Sequence, residues 1–344
     1  MRGEIIKILI NGGCGFLGSN LASYGIDNGY DITVFDNLSR TGTIENLSWL
    51  KTKGGFKFIP GDVRNKEDVE SVVRNGDYDA IFHLAGQVAM TTSIEDPYKD
   101  FQINTMGTLH TLEAVRKYSP GTHVFFSSTN KVYGSLEQYT YVEKPTRYVC
   151  NEFPNGFDES VPLDFSSPYG CSKGAADQYI RDYARTFGLN TTVFRHSSMY
   201  GSRQFATYDQ GWVGWFCKKA LDLSNGINEK FTISGNGKQV RDILHAEDMI
   251  SLYYTSLDKH DRVVGKIYNI GGTMKQSLSL FELFDILNKE LGVDMKYEKL
   301  PPRLGDQKVF VADVKKISND VGWKPKVSSV EGISSMLRWV NELE

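Results

Sequence analysis

The chain has 344 residues, 40% hydrophobic and 24% charged, enough for one or two packed cores and incompatible with wholesale disorder. Lys and Arg number 39 against 42 Asp and Glu, a formal net charge of −3, so no nucleic acid and no membrane surface is expected as partner. No apolar run has the length of a signal peptide or a membrane span, and the scattered Cys14, Cys150, Cys171 and Cys217 form neither a C-x-x-C pair nor a zinc pattern, so the expectation is a cytoplasmic protein with free thiols and no metal.

In chain order, Lys7–Asn11 reads as a strand, followed by a glycine-rich turn and a helix to about Asn28. Further strands are expected at Asp31–Phe35, Phe56–Ile59, Ala80–Leu84, Val124–Ser127 and Thr191–Phe194. Helical patterns at Asn65–Asn75, Asp100–Tyr118 and Ser172–Phe187 separate most of them. The alternation predicts an α/β fold, a doubly wound parallel sheet of the Rossmann kind with its ligand at the carboxyl ends of the strands. Beyond Phe187 the rhythm loosens, with a strand at Phe231–Ile233, helices near Asp248–Leu257 and Leu280–Leu291, and a last helix ending at Leu343. The expected division is a cofactor domain over 1–187 and a smaller substrate-binding α/β domain over 188–344, some of whose segments return to the first. Residues 135–164 form an irregular excursion carrying Tyr139, Tyr141, Tyr148, Phe153 and Phe157, either a lid over a sugar pocket or a surface loop.

Gly12, Gly15 and Gly18, with Phe16 and Leu17 between the last two, stand directly after the first strand and open the first helix. Phosphate oxygens need backbone N–H donors at close range, and glycine lets the chain approach them. Asp36 ends the second strand, where a carboxylate can accept both hydroxyls of an adenosine ribose and repel a 2′-phosphate; the expected cofactor is therefore NAD. Asn37, Ser39 and Arg40 continue that turn, and Arg40 weakens the preference against NADP a little. Asp62 and Val63 after the third strand suit the adenine edge. Leu84, Ala85 and Gly86 end the fourth strand with residues that let the backbone come close, and Asn104 in the next helix is expected to support that site by hydrogen bonding.

Tyr169 and Lys173 are four apart and share a helix face. A nearby ammonium favours phenolate, so Tyr169 is the candidate base and Lys173 the group that tunes it. Of the hydroxyls at the end of the fifth strand, Thr129 is the candidate to hold the reacting oxygen, with Ser127 facing the cofactor.

The glycine turn, Asp36, Thr129-x-x-Val132-Tyr133-Gly134, Tyr169/Lys173 and Arg195-x-x-x-Tyr200-Gly201 resemble, in order and over almost the whole chain, the extended short-chain dehydrogenase/reductases. The segments Gly86–Ser93, Ser128–Lys131 and Arg203–Trp212 look closest to those members that invert C2 of CDP-linked sugars for O-antigen lipopolysaccharide. The resemblance implies transient oxidation by tightly bound NAD, a nucleotide-diphosphate sugar (a CDP-sugar) as partner, and a homodimer or homotetramer. It also implies substrate contacts at Gln87, Val88, Thr129, Asn130, Lys131, Ser197, Ser198, Arg203, Gln204 and Lys238, with Arg241 and Arg303 on the diphosphate. Dehydratases of the family carry Asp-Glu after the threonine; Asn130 and Lys131 stand there instead, which argues against elimination of water. A 4-epimerase of UDP- or other sugars, or a keto-sugar reductase, is the alternative on the same scaffold.

Overall fold

The computed structural model describes residues 5–303 and 305–343. Seven strands form one sheet: β1 (Lys7–Asn11), β2 (Asp31–Asp36), β3 (Phe56–Pro60), β4 (Ala80–His83), β5 (His123–Thr129), β6 (Thr191–His196) and β7 (Lys266–Ile270). All neighbouring pairs run parallel, in the order β7-β6-β5-β4-β1-β2-β3. Alternate residues serve opposite faces. Ile8, Ile10, Val34, Phe82, Phe125 and Phe194 enter one core, while Leu9, Ile81, Val124, Phe126 and Val193 enter the other. A parallel sheet buried on both sides needs such apolar runs.

Helix α1 (Phe16–Asp27) brings Leu17, Leu21 and Ala22 to the first core. Helices α2 (Thr43–Lys53), with Leu47 and Leu50, and α6 (Ala246–Asp258), with Met249, Leu252 and Tyr253, close the same face. The second core is covered by α3 (Lys66–Arg74), α4 (Gly107–Tyr118) and α5 (Ser167–Phe187) through residues such as Val69, Leu112 and Ile180. This is the Rossmann-type architecture expected from the sequence. The seventh strand was not anticipated: it lies between Gly265, at φ 72°, and Gly271, beyond the regular strand–helix alternation of the first half, and joins the sheet by pairing with β6.

A third core, with Phe216, Phe231, Phe284, Met336 and Trp339, belongs to the C-terminal half. There Val240–His245 pairs with Ser198–Tyr200, Ser277–Leu278 and Val309–Phe310. The excursion 135–164 holds an antiparallel hairpin, Tyr141–Glu143 with Tyr148–Cys150. It is docked rather than free. Tyr148 donates its N–H to Lys238 O at 3.0 Å, Asn236 Nδ2 donates to Tyr148 Oη at 2.7 Å, and Arg147 Nη1 donates to Ser277 Oγ at 3.0 Å.

Candidate active site

Strand order reverses between β1 and β4, and the carboxyl ends of those strands open the crevice in which such sheets bind ligands. The turn from β1 enters α1 with no side-chain cap: Gly15 is the N-cap, in extended backbone, and the first turn holds no acidic residue. Its N–H groups and the positive end of the helix suit a phosphate. A Cβ on Gly12 would meet Ala85 N at 2.7 Å, and one on Gly18 would meet Gly12 O at 2.3 Å. Only glycine allows strand, turn and helix to pack so closely here.

Asp36 ties the end of β2 to that turn. Its Oδ2 accepts from Cys14 N at 3.0 Å and its Oδ1 from Leu38 N at 2.8 Å, and each oxygen keeps a lone pair for a ribose hydroxyl. Burial raises its pKa, while the two N–H groups and Arg40 pull the other way. Ser39 N donates to Asn37 Oδ1 at 3.1 Å, and Asn37 Nδ2 donates to Asp62 Oδ2 at 2.8 Å. Burial works against the Asp62 charge, but hydrogen bonds from Arg64 and Asn37 hold its pKa at about 2. Val63 packs beside Gly107, and Leu84, Ala85 and Gly86 continue from β4. These residues fit a dinucleotide: donors for a pyrophosphate at the glycines and a carboxylate for ribose at β2.

Helix α5 starts five residues earlier than the sequence pattern suggests, with Pro168 in its first turn, so Tyr169 and Lys173 both lie on it. The Thr129 hydroxyl lies close enough to Tyr169 to act on its phenol. Lys173 Nζ donates to Ser127 O at 2.5 Å and lies 4.2 Å from the centre of the Phe126 ring. The Ser127 side chain lies near the Tyr253 hydroxyl, which is hydrogen-bonded to His196 Nε2 at 3.2 Å. A Cβ on Gly86 would lie 3.8 Å from Lys173 Nζ, so crevice and catalytic helix meet there.

The charge balance differs from the expectation in one respect. Burial pushes the Tyr169 phenol up to about 12, with Thr129 and Arg40 pulling it down and Asp100 pushing it up. Burial also drives Lys173 down to about 7, opposed by Asp177 and Asp100. Burial, not Lys173, sets the direction for Tyr169, and the Lys173 ammonium is turned to Ser127 O at the end of β5. The cation acting on the phenol is Arg40, which donates to Gly86 O at 3.4 Å and to the Gln210 side chain.

Asp100, missed in the sequence reading, is buried behind this site and accepts from Ser172 Oγ and from Asn104 Nδ2. Asn104 sits in a π-helical turn, Gln102–Met106, and both accepts from Gln87 N at 2.9 Å and donates to Gln87 O at 3.1 Å. It thereby pins the loop after β4, and its amide is taken up in doing so. The Asp100/Asn104 spacing of four on one helix face was the available signal.

Three cations converge where the two halves meet. Lys131 Nζ and Arg241 Nη2 lie 3.5 and 2.7 Å from the same Asp306 oxygen. Arg303 Nε donates to Ser234 Oγ at 3.3 Å, and its guanidinium lies 5.6 Å from the centre of the Tyr208 ring. Burial and the neighbouring Arg241 drive Lys131 down to about 8, with Asp306 opposing. Three cations facing one carboxylate suit a diphosphate.

The other expected substrate residues have partners within the protein. Arg203 stacks 4.3 Å from the centre of the Trp49 ring on α2, and Gln204 Nε2 donates to Met199 O at 3.0 Å. Ser197 Oγ donates to Asp242 O, and Ser198 Oγ accepts from Trp212 Nε1. Lys238 pairs with Glu143 at 2.8 Å, Gln87 Nε2 donates to Ala89 O at 2.6 Å, and Val88 is half-buried.

A family model described as GDP-mannose 4,6 dehydratase matches residues 9–336. The chain is 62% identical over 338 residues to a CDP-paratose 2-epimerase of Salmonella typhi, covering 98% of this chain and 100% of the relative. Among solved structures it resembles a UDP-glucose 4-epimerase with UDP-glucose from Thermotoga maritima, at 30% identity and a TM-score of 0.83, with 98% and 100% of the two chains covered. It also resembles a UDP-glucuronic acid 4-epimerase from Bacillus cereus in complex with UDP-glucuronic acid and NAD, at 26% identity and a TM-score of 0.84 over the same shares. Among the described residues no helix is long and apolar enough to cross a membrane. The glycine turn, the carboxylate ending β2 and the Thr129–Tyr169–Lys173 group therefore stand in a chain that belongs to the GDP-mannose 4,6-dehydratase family of NAD-dependent nucleotide-sugar epimerases and dehydratases.

Proposed function

We propose that this chain inverts C2 of CDP-paratose to give CDP-tyvelose, using one NAD that stays bound. The observation that carries the reading is the meeting of Thr129, Tyr169 and Lys173 beside the glycine-lined crevice, with Asn130 and Lys131, not an acid–base pair, next in the chain. The 62% identity to a 2-epimerase supports the choice of carbon and nucleotide. Tyr169 takes the proton of the C2 hydroxyl as phenolate, a form that burial opposes and that Thr129 and Arg40 favour, and Thr129 holds the reacting oxygen by a hydrogen bond. Lys173 turns its ammonium from Ser127 O to the nicotinamide ribose. Arg241, Arg303 and Lys131 hold the diphosphate, so the sugar can present its other face without leaving. NAD, when bound, accepts the C2 hydride and returns it, which leaves one inverted carbon and no net oxidation. Tyr169 then gives the proton back to the oxygen.

A second copy of this chain is the expected protein partner. Helical residues 90–106 and α5 pack side by side and expose Ile94, Tyr98, Phe101 and Tyr179, an apolar face suited to a homodimer or, doubled, a homotetramer. The four cysteines are free, and we place the reaction in the cytoplasm.

Isotope flow tests the reading. CDP-paratose deuterated at C2 should give CDP-tyvelose that keeps deuterium at C2, and reaction in heavy water should introduce none there. Solvent deuterium at C2 would defeat the hydride route, and inversion at C4 with C2 untouched would turn the assignment to a 4-epimerase.

A further inference from the structure

Gln307 is fully buried, and its side-chain amide is spent on the turn that carries Thr129. Its Oε1 accepts from Asn130 Nδ2 at 2.8 Å, while its Nε2 donates to Gly134 O at 2.7 Å and to Asn130 O at 3.4 Å. That turn, Asn130–Tyr133, begins at Thr129, whose Oγ1 accepts from Lys131 N at 3.2 Å, and ends at Gly134 with φ 69°. One planar amide thus grips both ends of the turn. With its NH2 committed to Gln307, the Asn130 amide turns its Oδ1 toward Thr129 Oγ1, 3.4 Å away. Hydrogen bonds run from Gln307 through Asn130 to Thr129, and the Thr129 hydroxyl stands beside the Tyr169 phenol.

An apolar side chain here would leave the Asn130 NH2 and the Gly134 carbonyl without these partners. The amide sets the rotation of Asn130 and the position of the Gly134 carbonyl together. Its neighbour Asp306 meets Lys131 and Arg241, and the strand that follows, Val309–Phe310, pairs with Val240 and Arg241. The same short segment therefore touches the oxygen-holding turn and the cations of the diphosphate site.

We propose that Gln307 is a positioning residue for the epimerisation: its amide holds the 129–134 turn so that the Thr129 hydroxyl stays beside Tyr169 and within reach of the reacting oxygen. The proposal rests on the assignment of Thr129 and Tyr169 above. Gln307 is fully buried behind the turn, so its loss acts on turnover more than on binding.

The test uses the full chain with NAD, assayed with CDP-paratose. Gln307→Ala should lower kcat about a hundred-fold, the scale of a small misplacement in a reacting group, with KM and NAD content within about two-fold of the parent. Gln307→Glu makes a sharper probe. Its carboxylate still accepts from Asn130, but only the protonated acid can donate to Gly134 O. Burial raises the pKa of that acid, so kcat of this variant should climb as pH falls, along a limb the parent lacks. A Gln307→Ala kcat within about two-fold of the parent overturns the proposal, as does a fall in KM-derived affinity and NAD content equal to the fall in kcat. If the Ala variant fails to fold, the Glu variant decides: a pH profile of the parent's shape overturns the proposal. Tyr169→Phe, run in parallel, separates the layers. An active Tyr169→Phe removes the catalytic assignment and the Gln307 proposal with it, whereas an inactive Tyr169→Phe beside a parent-like Gln307→Ala removes only the latter.

Discussion

In the cofactor crevice, Asp36 reaches Cys14 across 22 residues, and the glycines meet one another within a single turn. At the substrate end, Asp306 reaches Lys131 across 175 residues and Gln307 reaches Asn130 across 177. The first region is made of backbone: N–H groups and close approaches that only glycine permits. The second is made of side-chain charges and amides delivered by two halves of the chain packing together. Such regions should fail differently, the first by losing its cofactor and the second by losing hold of the nucleotide sugar. Tyr169 stands where they meet.

The largest effect should come from that junction. Tyr169→Phe removes only an oxygen and should lower turnover about a thousand-fold, within the range of general acid–base catalysis, while NAD content and thermal stability stay near the parent's. Steady-state rates beside the bound-NAD measurement check it, and a parent-like rate would remove Tyr169 as base. Arg241→Met comes next. A charge-assisted hydrogen bond is worth about 1.5–3 kcal/mol, so KM for the nucleotide sugar should rise about ten- to a hundred-fold with NAD content unchanged. If NAD falls together with affinity, the two regions are not separable in this way.

Gly18→Ala is the mirror-image test. Its methyl would lie 2.3 Å from Gly12 O and 2.6 Å from Gly13 Cα, both backbone atoms, so the turn must shift. Overpacking of this kind costs about 1–3 kcal/mol, and NAD retained through gel filtration should fall about ten-fold while CDP binding by calorimetry stays put. Full NAD occupancy in this variant would show that the close approach at Gly18 is dispensable for the cofactor.

The smallest effect is one of pH on stability without cofactor. The folded-state pKa of Lys173 lies near 7, below its ordinary 10.5, because burial disfavours the ammonium. Between those values the unfolded chain binds the proton and the folded chain does not, so stability rises with pH across that window. Lys173→Met removes the buried charge. Its Tm should exceed the parent's most at pH 7 and below, with the gap narrowing toward pH 10. A gap that is constant with pH, measured by calorimetry, would show that Lys173 is not charged at a cost in the folded protein.

Local pattern alone determined much of this molecule. Alternation of short apolar runs with helical stretches was enough for a parallel, doubly wound sheet, since both signals repeat within a few residues. Glycine spacing after β1, an acid ending β2 and the four-residue interval between Tyr169 and Lys173 located most of the cofactor crevice and its chemistry for the same reason. Tertiary structure decided what pairing across distance creates. It made β7 a member of the sheet, docked the 135–164 hairpin onto residues 236–238, and sent Arg203 to Trp49. It also reversed the expected shift of Tyr169: spacing puts the phenol and the ammonium on one face, but depth of burial and the reach of Lys173 to Ser127 set the sign. Asp306 and Gln307 carry no motif that names their partners, because Lys131 and Asn130 become their neighbours only when the two halves close on each other.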